Sequence, residues 1–190
     1  MADPTRPTLA AVEGATAPID RHAAVTDAFI EYHEDLYRYL YRATRDGEAA
    51  EDLLQDTYLR LVRELEAGHA PEQLRAWLYR VATNLVISRG RRRSTVRDWL
   101  GRHGRESASR TVASPETEIV DRERTLTLEA TLAGLPAETR TALLLAAEGF
   151  RGEEIAATIG RSHTATRTLL SRARVRVREE FDRREAGRWP

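Results

Sequence analysis

The chain has 190 residues, with 30 basic and 30 acidic side chains that cancel to a formal net charge of zero, and no cysteine, which excludes disulfides, thiol redox chemistry and thiolate metal sites. Lysine is absent as well, so every basic group is a guanidinium; this suits bidentate contacts to phosphate and guanine, although a GC-rich genome that favours Arg codons would leave the same imprint. No apolar run approaches the roughly 20 residues of a membrane span, and residues 1–22, interrupted by Asp3, Glu13 and Asp20, lack the apolar core of a secretion signal, so a cytoplasmic protein with a disordered N-terminal extension is expected.

The zero net charge conceals segregation. Residues 27–66 hold eleven acids and five arginines, residues 89–110 eight arginines and two acids, and residues 161–188 nine arginines and four acids. One acidic and two basic blocks suggest a protein partner for one surface and a polyanion for the others.

Apolar residues recur at helical spacing almost throughout, and strand signals are nearly missing, so the expected fold class is all-α. A first helix over 25–45 places Phe29, Tyr32, Leu36, Leu40 and Ala43 on one stripe and ends at Asp46 and Gly47. A second over 48–65 turns Leu54, Tyr58, Leu61 and Leu65 inward, with Gly68 just past its end. On its opposite face Glu51, Asp52, Gln55, Asp56 and Arg60 stand at three- and four-residue steps, a display that can meet a basic protein surface or serve simply as a solvated face. Glu66 and His69 are spaced as in the Glu-x-x-His motif of diiron bundles, but the pair straddles a helix end, so no metal site is expected.

A third helix opens at Pro71, aligns Leu74, Leu78, Val81 and Leu85, and is expected to dissolve into the run Arg89, Arg91, Arg92 and Arg93. Trp77, Tyr79 and Asn84 beside that cationic end can stack on and hydrogen-bond unpaired bases while the arginines hold a backbone. Trp77 by itself would equally suit a core.

Residues 94–114, with Gly101, Gly104, several serines and arginines and few apolar positions, read as a flexible basic linker with room for a short helix near 96–102. Helix returns near Pro115 and continues through Ile119, Leu126, Ala130 and Ala133 to Gly134. Residues 135–178 then form a helix-turn-helix unit. A helix with Leu143, Leu144 and Ala147 ends at Gly149, a short one over 152–159 carries Ile155, Ala156 and Ile159 on one face, Gly160 breaks it, and Ser162 caps a long Arg-rich helix. In that helix Leu169, Leu170, Ala173 and Val177 pack inward. His163, Thr164, Arg167, Thr168, Ser171, Arg172 and Arg174 point outward, where the first turns of a recognition helix reach base edges and later arginines meet phosphates. The expected layout is an extension over 1–22, a helical domain over 23–93, a linker over 94–114, a second helical domain over 115–184 and a tail over 185–190.

Taken in order, AEDLLQDTYLRLVR, LRAWLYRVATNLVISRGRRR, LPAETRTALLLAAEGFRGEEIAATIG and LLSRARVRVRE resemble an extracytoplasmic-function sigma factor of the sigma-70 family over residues 27–180. Members of that family are dissociable promoter-specificity subunits of bacterial RNA polymerase. The resemblance implies that Asp52, Gln55 and Asp56, with Arg60 beside them, dock on the clamp helices of the largest polymerase subunit. It implies that Trp77 and Asn84 open the minus-10 box and hold a flipped base, next to Arg89, Arg91, Arg92 and Arg93. The linker would thread toward the RNA exit path, and the second domain would bind the minus-35 box and the flap of the second-largest subunit. An anti-sigma factor is an expected partner, no cofactor is implied, and the protein would contribute binding energy rather than bond-making chemistry. A free-standing helix-turn-helix regulator is the alternative, but it needs no acidic docking face joined to an aromatic-basic helix.

Two departures from the family pattern stand out. The usual recognition-helix run Gly-Thr-Val-Lys-Ser-Arg-Leu is replaced by Thr164, Ala165, Thr166, Arg167, Thr168, Leu169 and Leu170, which removes polar contacts at 165 and 169 and sets a hydroxyl where a buried Val is usual. Arg151 and Gly152 occupy a place where a Ser-Tyr pair is common.

Overall fold

The computed structural model describes residues 21–100 and 119–186; of residues 93–100, 119–125 and 185 it describes the backbone alone. Seven α-helices and no strand are found among them: α1 (Arg21–Thr44), α2 (Gly47–Glu66), α3 (Leu74–Leu100), α4 (Ile119–Ala133), α5 (Ala137–Ala147), α6 (Gly152–Ile159) and α7 (His163–Ala186). Of the extension expected over 1–22, the linker over 94–114 and the tail over 185–190, residues 1–20, 101–114 and 187–190 lie outside the described residues, and the remainder is helical.

The first three helices pack on one another because each shows an apolar stripe to the other two. On α1 the buried positions are Ala28, Leu36, Tyr39, Leu40 and Ala43; on α2 they include Leu53, Leu54, Tyr58, Leu61 and Leu65. Phe29, expected inside, is 46% exposed and covers Tyr58 from the edge, with ring centroids 5.3 Å apart. The turn between α1 and α2 is made by Arg45 at φ 60 and by Asp46, whose carboxylate accepts from the Ala49 amide at 3.2 Å and caps α2. Burial pushes the Tyr58 phenol up to about 12.

On α3 the buried side chains are Leu78, Tyr79, Ala82, Thr83, Val86 and Ile87, whereas Val81 and Leu85 are only half-buried. Tyr79 is thus a core residue, 1% exposed, and not a platform for bases. Its neighbour across the core is Tyr39, edge-on at 5.1 Å. The Tyr39 phenol bonds Thr83 Oγ1 at 2.6 Å, and since the Thr83 hydroxyl is spent on the Tyr79 carbonyl, the phenol is the donor. Burial raises the pKa of both phenols well above the ordinary range.

The helix does not dissolve at the arginines: α3 continues to Leu100 and takes in the short helix expected near 96–102. Arginine is a good helix former, so a run of charge ends a helix only where a breaking residue or a cap accompanies it. Gly90 costs such a helix about 1 kcal/mol relative to Ala. It is kept where α5 comes closest, since a Cβ built on it would lie 3.2 Å from Ala137 Cβ.

In the C-terminal half, α5 buries Thr141, Ala142, Leu144 and Leu145, and Ala147 is exposed. Gly149 at φ 85 ends α5, with Phe150 N donating to Leu145 O at 3.0 Å and Gly149 N to Ala146 O at 3.2 Å. That turn throws Phe150 back toward α3. The helix-turn-helix is formed as expected, with Gly160 at φ 70 after α6 and Ser162 Oγ accepting from Ala165 N at 3.2 Å to start α7.

The two halves do not stand apart. Both α5 and α6 pack on α3, α5 also packs on α1, and Leu36, Tyr79 and Val86 belong to the same apolar cluster as Leu144, Leu145, Ile155 and Leu170. Thr166 sits fully buried in this half with no acceptor for its hydroxyl. An unpaired buried hydroxyl costs about 1–3 kcal/mol. Thr166→Val keeps the shape and removes that cost, so it should stabilise the protein by about 1 kcal/mol, a rise of roughly 2–4 °C in Tm; a melting temperature that is unchanged or lower would show that the hydroxyl is satisfied.

Candidate nucleic-acid and polymerase interface

Helix α2 presents Glu51, Asp52, Gln55, Asp56 and Arg60 to solvent on the side away from Leu54, Leu61 and Leu65, as the spacing required. Leu59, 45% exposed, lies among them and was not singled out by charge pattern; it adds apolar area to an otherwise polar face. Asp52 is not free of the chain itself, because Arg89 Nη1 on α3 stands 3.8 Å from its Oδ2. Two residues assigned on sequence to different surfaces therefore face each other. Arg89 is half-buried, with a buried Nε that has no acceptor, and its guanidinium lies between α3 and the exposed face of α2.

Along α3 a second ridge faces outward. Trp77 is half-buried against the core, Asn84 and Arg91 are exposed, and Arg92 is exposed at the end of the part whose side chains are described; the side chain of Arg93 lies outside the described residues. Arg80 was missed in sequence. It is exposed, three residues after Trp77 and four before Asn84, which places it on the same ridge between them. The spacing from Trp77 would have found it. This ridge combines an aromatic edge, an amide and guanidiniums, the set of groups that holds single-stranded nucleic acid.

On α7 all seven outward positions are exposed: His163, Thr164, Arg167, Thr168, Ser171, Arg172 and Arg174. Buried Leu170 and Ala173, with half-buried Leu169 and Val177, fix the helix on its other side. His163 leans back over the start of α6, and a Cβ added to Gly152 would come within 3.0 Å of its Nε2. Gly152 therefore leaves room for that imidazole, which gives the unusual pair Arg151 and Gly152 a packing reason. Arg151 N donates to Glu154 Oε2 at 2.7 Å, holding the first turn of α6 and lowering the Glu154 pKa mainly through that backbone bond. Between α6 and α7, Arg161 is exposed and pairs with Glu138 on α5.

No group of three or more His, Asp or Glu side chains that could hold a metal is present among the described residues, and no helix among them is long and apolar enough to cross a membrane. Glu64 and His69 approach to 3.7 Å at the exposed end of α2, a solvated contact worth little.

Comparison with known proteins places both halves. The sigma-70 region 2 family model matches residues 28–96 and the sigma-70 region 4 family model residues 125–177. The ECF RNA polymerase sigma factor SigE of Mycolicibacterium smegmatis is 33% identical over 155 residues, covering 80% of this chain and 60% of the relative. SigG of Mycobacterium tuberculosis is 32% identical over 180 residues, covering 83% of this chain and 49% of the relative. The chain thus spans about half to three fifths of the length of these curated relatives. Among solved structures, the sigma factor RpoE in its complex with the anti-sigma factor NepR from Bartonella quintana has the same fold, with a TM-score of 0.65 and 24% identity over 84% of this chain and 97% of that one. Matches to regions 2 and 4 in this order, together with these relatives, make the chain a member of the sigma-70 family in its extracytoplasmic-function group.

Proposed function

We infer that this chain is a promoter-specificity subunit that binds core RNA polymerase and directs initiation by reading a minus-35 and a minus-10 element. The observation that supports the reading is the coexistence in one chain of an exposed acidic face on α2, a basic ridge with half-buried Trp77 on α3 and an exposed polar and basic face on α7. A free-standing repressor would need only the last. In this reading Asp52, Gln55, Asp56 and Arg60 meet the clamp helices of the largest subunit. Trp77, Arg80 and Asn84 engage the minus-10 strand as it unstacks, with Arg91, Arg92 and Arg93 following its phosphates. Arg167, Thr168, Ser171, Arg172 and Arg174, with His163 and Thr164 at the first turn, lie against the minus-35 box, and the same half meets the flap of the second-largest subunit. An anti-sigma protein is the regulatory partner this implies, by extension from the RpoE relative, which is bound to one. The protein works by binding alone, offsetting the few kcal/mol needed to unstack a base.

Purified chain added to sigma-free core on a promoter library should yield start-site-specific transcripts. Tight DNA binding by the chain alone with no initiation would instead support the free-standing regulator. Asp56→Arg reverses an exposed charge without touching the core and should weaken core binding roughly tenfold, or about 1.4 kcal/mol; unchanged affinity in a titration against core would remove α2 from the docking face. Arg167→Ala should weaken binding to minus-35 DNA by about 1–3 kcal/mol if the contact is to a base, or lower the salt slope by about one if it is to phosphate. A mobility-shift series across salt concentrations separates the two, and no change in either quantity excludes Arg167 from the interface.

A further inference from the structure

Gly152 opens α6, and its backbone does not require glycine: Gly149 and Gly160 have positive φ, whereas Gly152 does not. What glycine provides there is space. A Cβ built on it would stand 3.0 Å from Nε2 of His163 and 3.3 Å from its Cδ2, closer than a packed side chain allows. Those two atoms form one edge of the imidazole, so the edge carrying Nδ1 and Cε1 is turned away from α6, and the residue is exposed. The lean follows from helix geometry. Side chains on a helix point back toward its N-terminus, and His163 is the first residue of α7, so the start of α6 lies behind it.

The backbone that carries the ring is pinned on both sides. Arg161 N donates to Ala156 O at 3.0 Å after left-handed Gly160, the Arg161 side chain pairs with Glu138 on α5, and Ser162 accepts from Ala165 N at 3.2 Å and from Thr166 N at 2.9 Å. With the turn held in this way, a side chain at residue 152 moves the imidazole and not the helix. The ring would swing to another rotamer, off α6 and along α7. One turn on, at four residues, stands exposed Arg167, whose side chain leans back over the same face. A displaced ring would enter the space through which that guanidinium reaches.

We propose that Gly152 is a positioning residue for promoter reading. By admitting the imidazole against α6 it fixes which edge of His163 is presented to the base edges of duplex DNA and keeps the ring clear of Arg167. The choice of upstream bases by this chain then depends on a residue outside the recognition helix, which acts through His163 and not by contact. The idea rests on the sigma-factor reading above, in which α7 lies against the minus-35 box. On the presented edge Nδ1 is the one hydrogen-bonding atom, and the Arg167 fork beside it suits guanine, so a change in either alters base choice more than overall affinity. Stability is nearly indifferent to the substitution, because the atoms in the way are the free end of a side chain and alanine suits a helix better than glycine.

The test is a double-mutant cycle read as sequence preference. Holoenzyme assembled from the full chain and sigma-free core is offered promoters randomised across the minus-35 element, with wild type, Gly152→Ala, His163→Ala and the double variant compared. Gly152→Ala should change the preference at one or two positions of the element by about fivefold, leave the salt slope as it was, and keep Tm within about 2 °C of wild type. His163→Ala should disturb the same positions, and the double variant should match His163→Ala to within roughly twofold. An unchanged preference in Gly152→Ala, an effect of that substitution that persists in the His163→Ala background, or a uniform loss over all sequences would each overturn the proposal. Failure of the wild-type holoenzyme to select any upstream sequence would count against the sigma-factor reading instead. The same cycle run on the chain alone, by selection of bound duplexes in a mobility shift, would then still decide whether Gly152 acts through His163.

Discussion

Tyr79 is the residue on which the two halves of this protein depend. Its ring is packed edge-on against Tyr39 in the first helical block and against Phe150 in the second, and its hydroxyl reaches Glu148 across the seam. A phenol is well matched to such a place, since its faces and edges supply apolar contact in three directions while its one polar atom is satisfied at the far end. Removing it would open a cavity in α1–α3 and strip the seam of its partner at the same moment. The core of region 2 and the seat of region 4 are therefore one packing problem.

This arrangement explains how α3 can serve three surfaces. A helix turns 100° per residue, so ridges that begin a few residues apart face different neighbours. The line through Leu78, Ala82 and Arg89 looks toward α1 and α2, the line through Arg75, Tyr79 and Gly90 toward α5 and α6, and the line through Trp77, Arg80 and Asn84 toward solvent. Because the faces are fixed to one rigid rod, a shift of α3 against α2 is felt both where α3 meets α5 and α6 and at its exposed ridge. The Asp52 to Arg89 contact is one place where the acidic face of α2 and the basic end of α3 meet physically.

The second half relies on local punctuation. Left-handed Gly149 and Gly160 and the Ser162 cap orient three successive helices, and each is worth about 1 kcal/mol or less by itself. Their effect comes from direction: Gly149 sends Phe150 into the seam, and Gly160 turns α7 so that Arg167 and Arg172 face outward while Leu170 and Ala173 face in. The departures from the family pattern fall at different levels. Ala165 and Leu169 leave the packing intact, Thr166 adds a buried unpaired hydroxyl, and Gly152 makes room for His163.

The all-helical class, the acidic stripe of α2, the outward residues of α7 and the turn glycines were legible in the sequence because each depends on periodicity or on the chemistry of one or two adjacent residues. Charge segregation likewise announced the separate surfaces before any contact was known. Other features depended on partners distant in the chain. Tyr79 and Trp77 are two residues apart and both aromatic, and only the positions of Tyr39 and Phe150 decide that one is core while the other stays half-exposed. The persistence of α3 past its arginines, the value of Gly90 as a point of close approach, and the diversion of Arg89 to Asp52 and Arg161 to Glu138 are decided by neighbours up to dozens of residues away. Above all, a linear pattern marks two helical blocks but carries no information on whether they pack together, because that depends on how two finished surfaces fit.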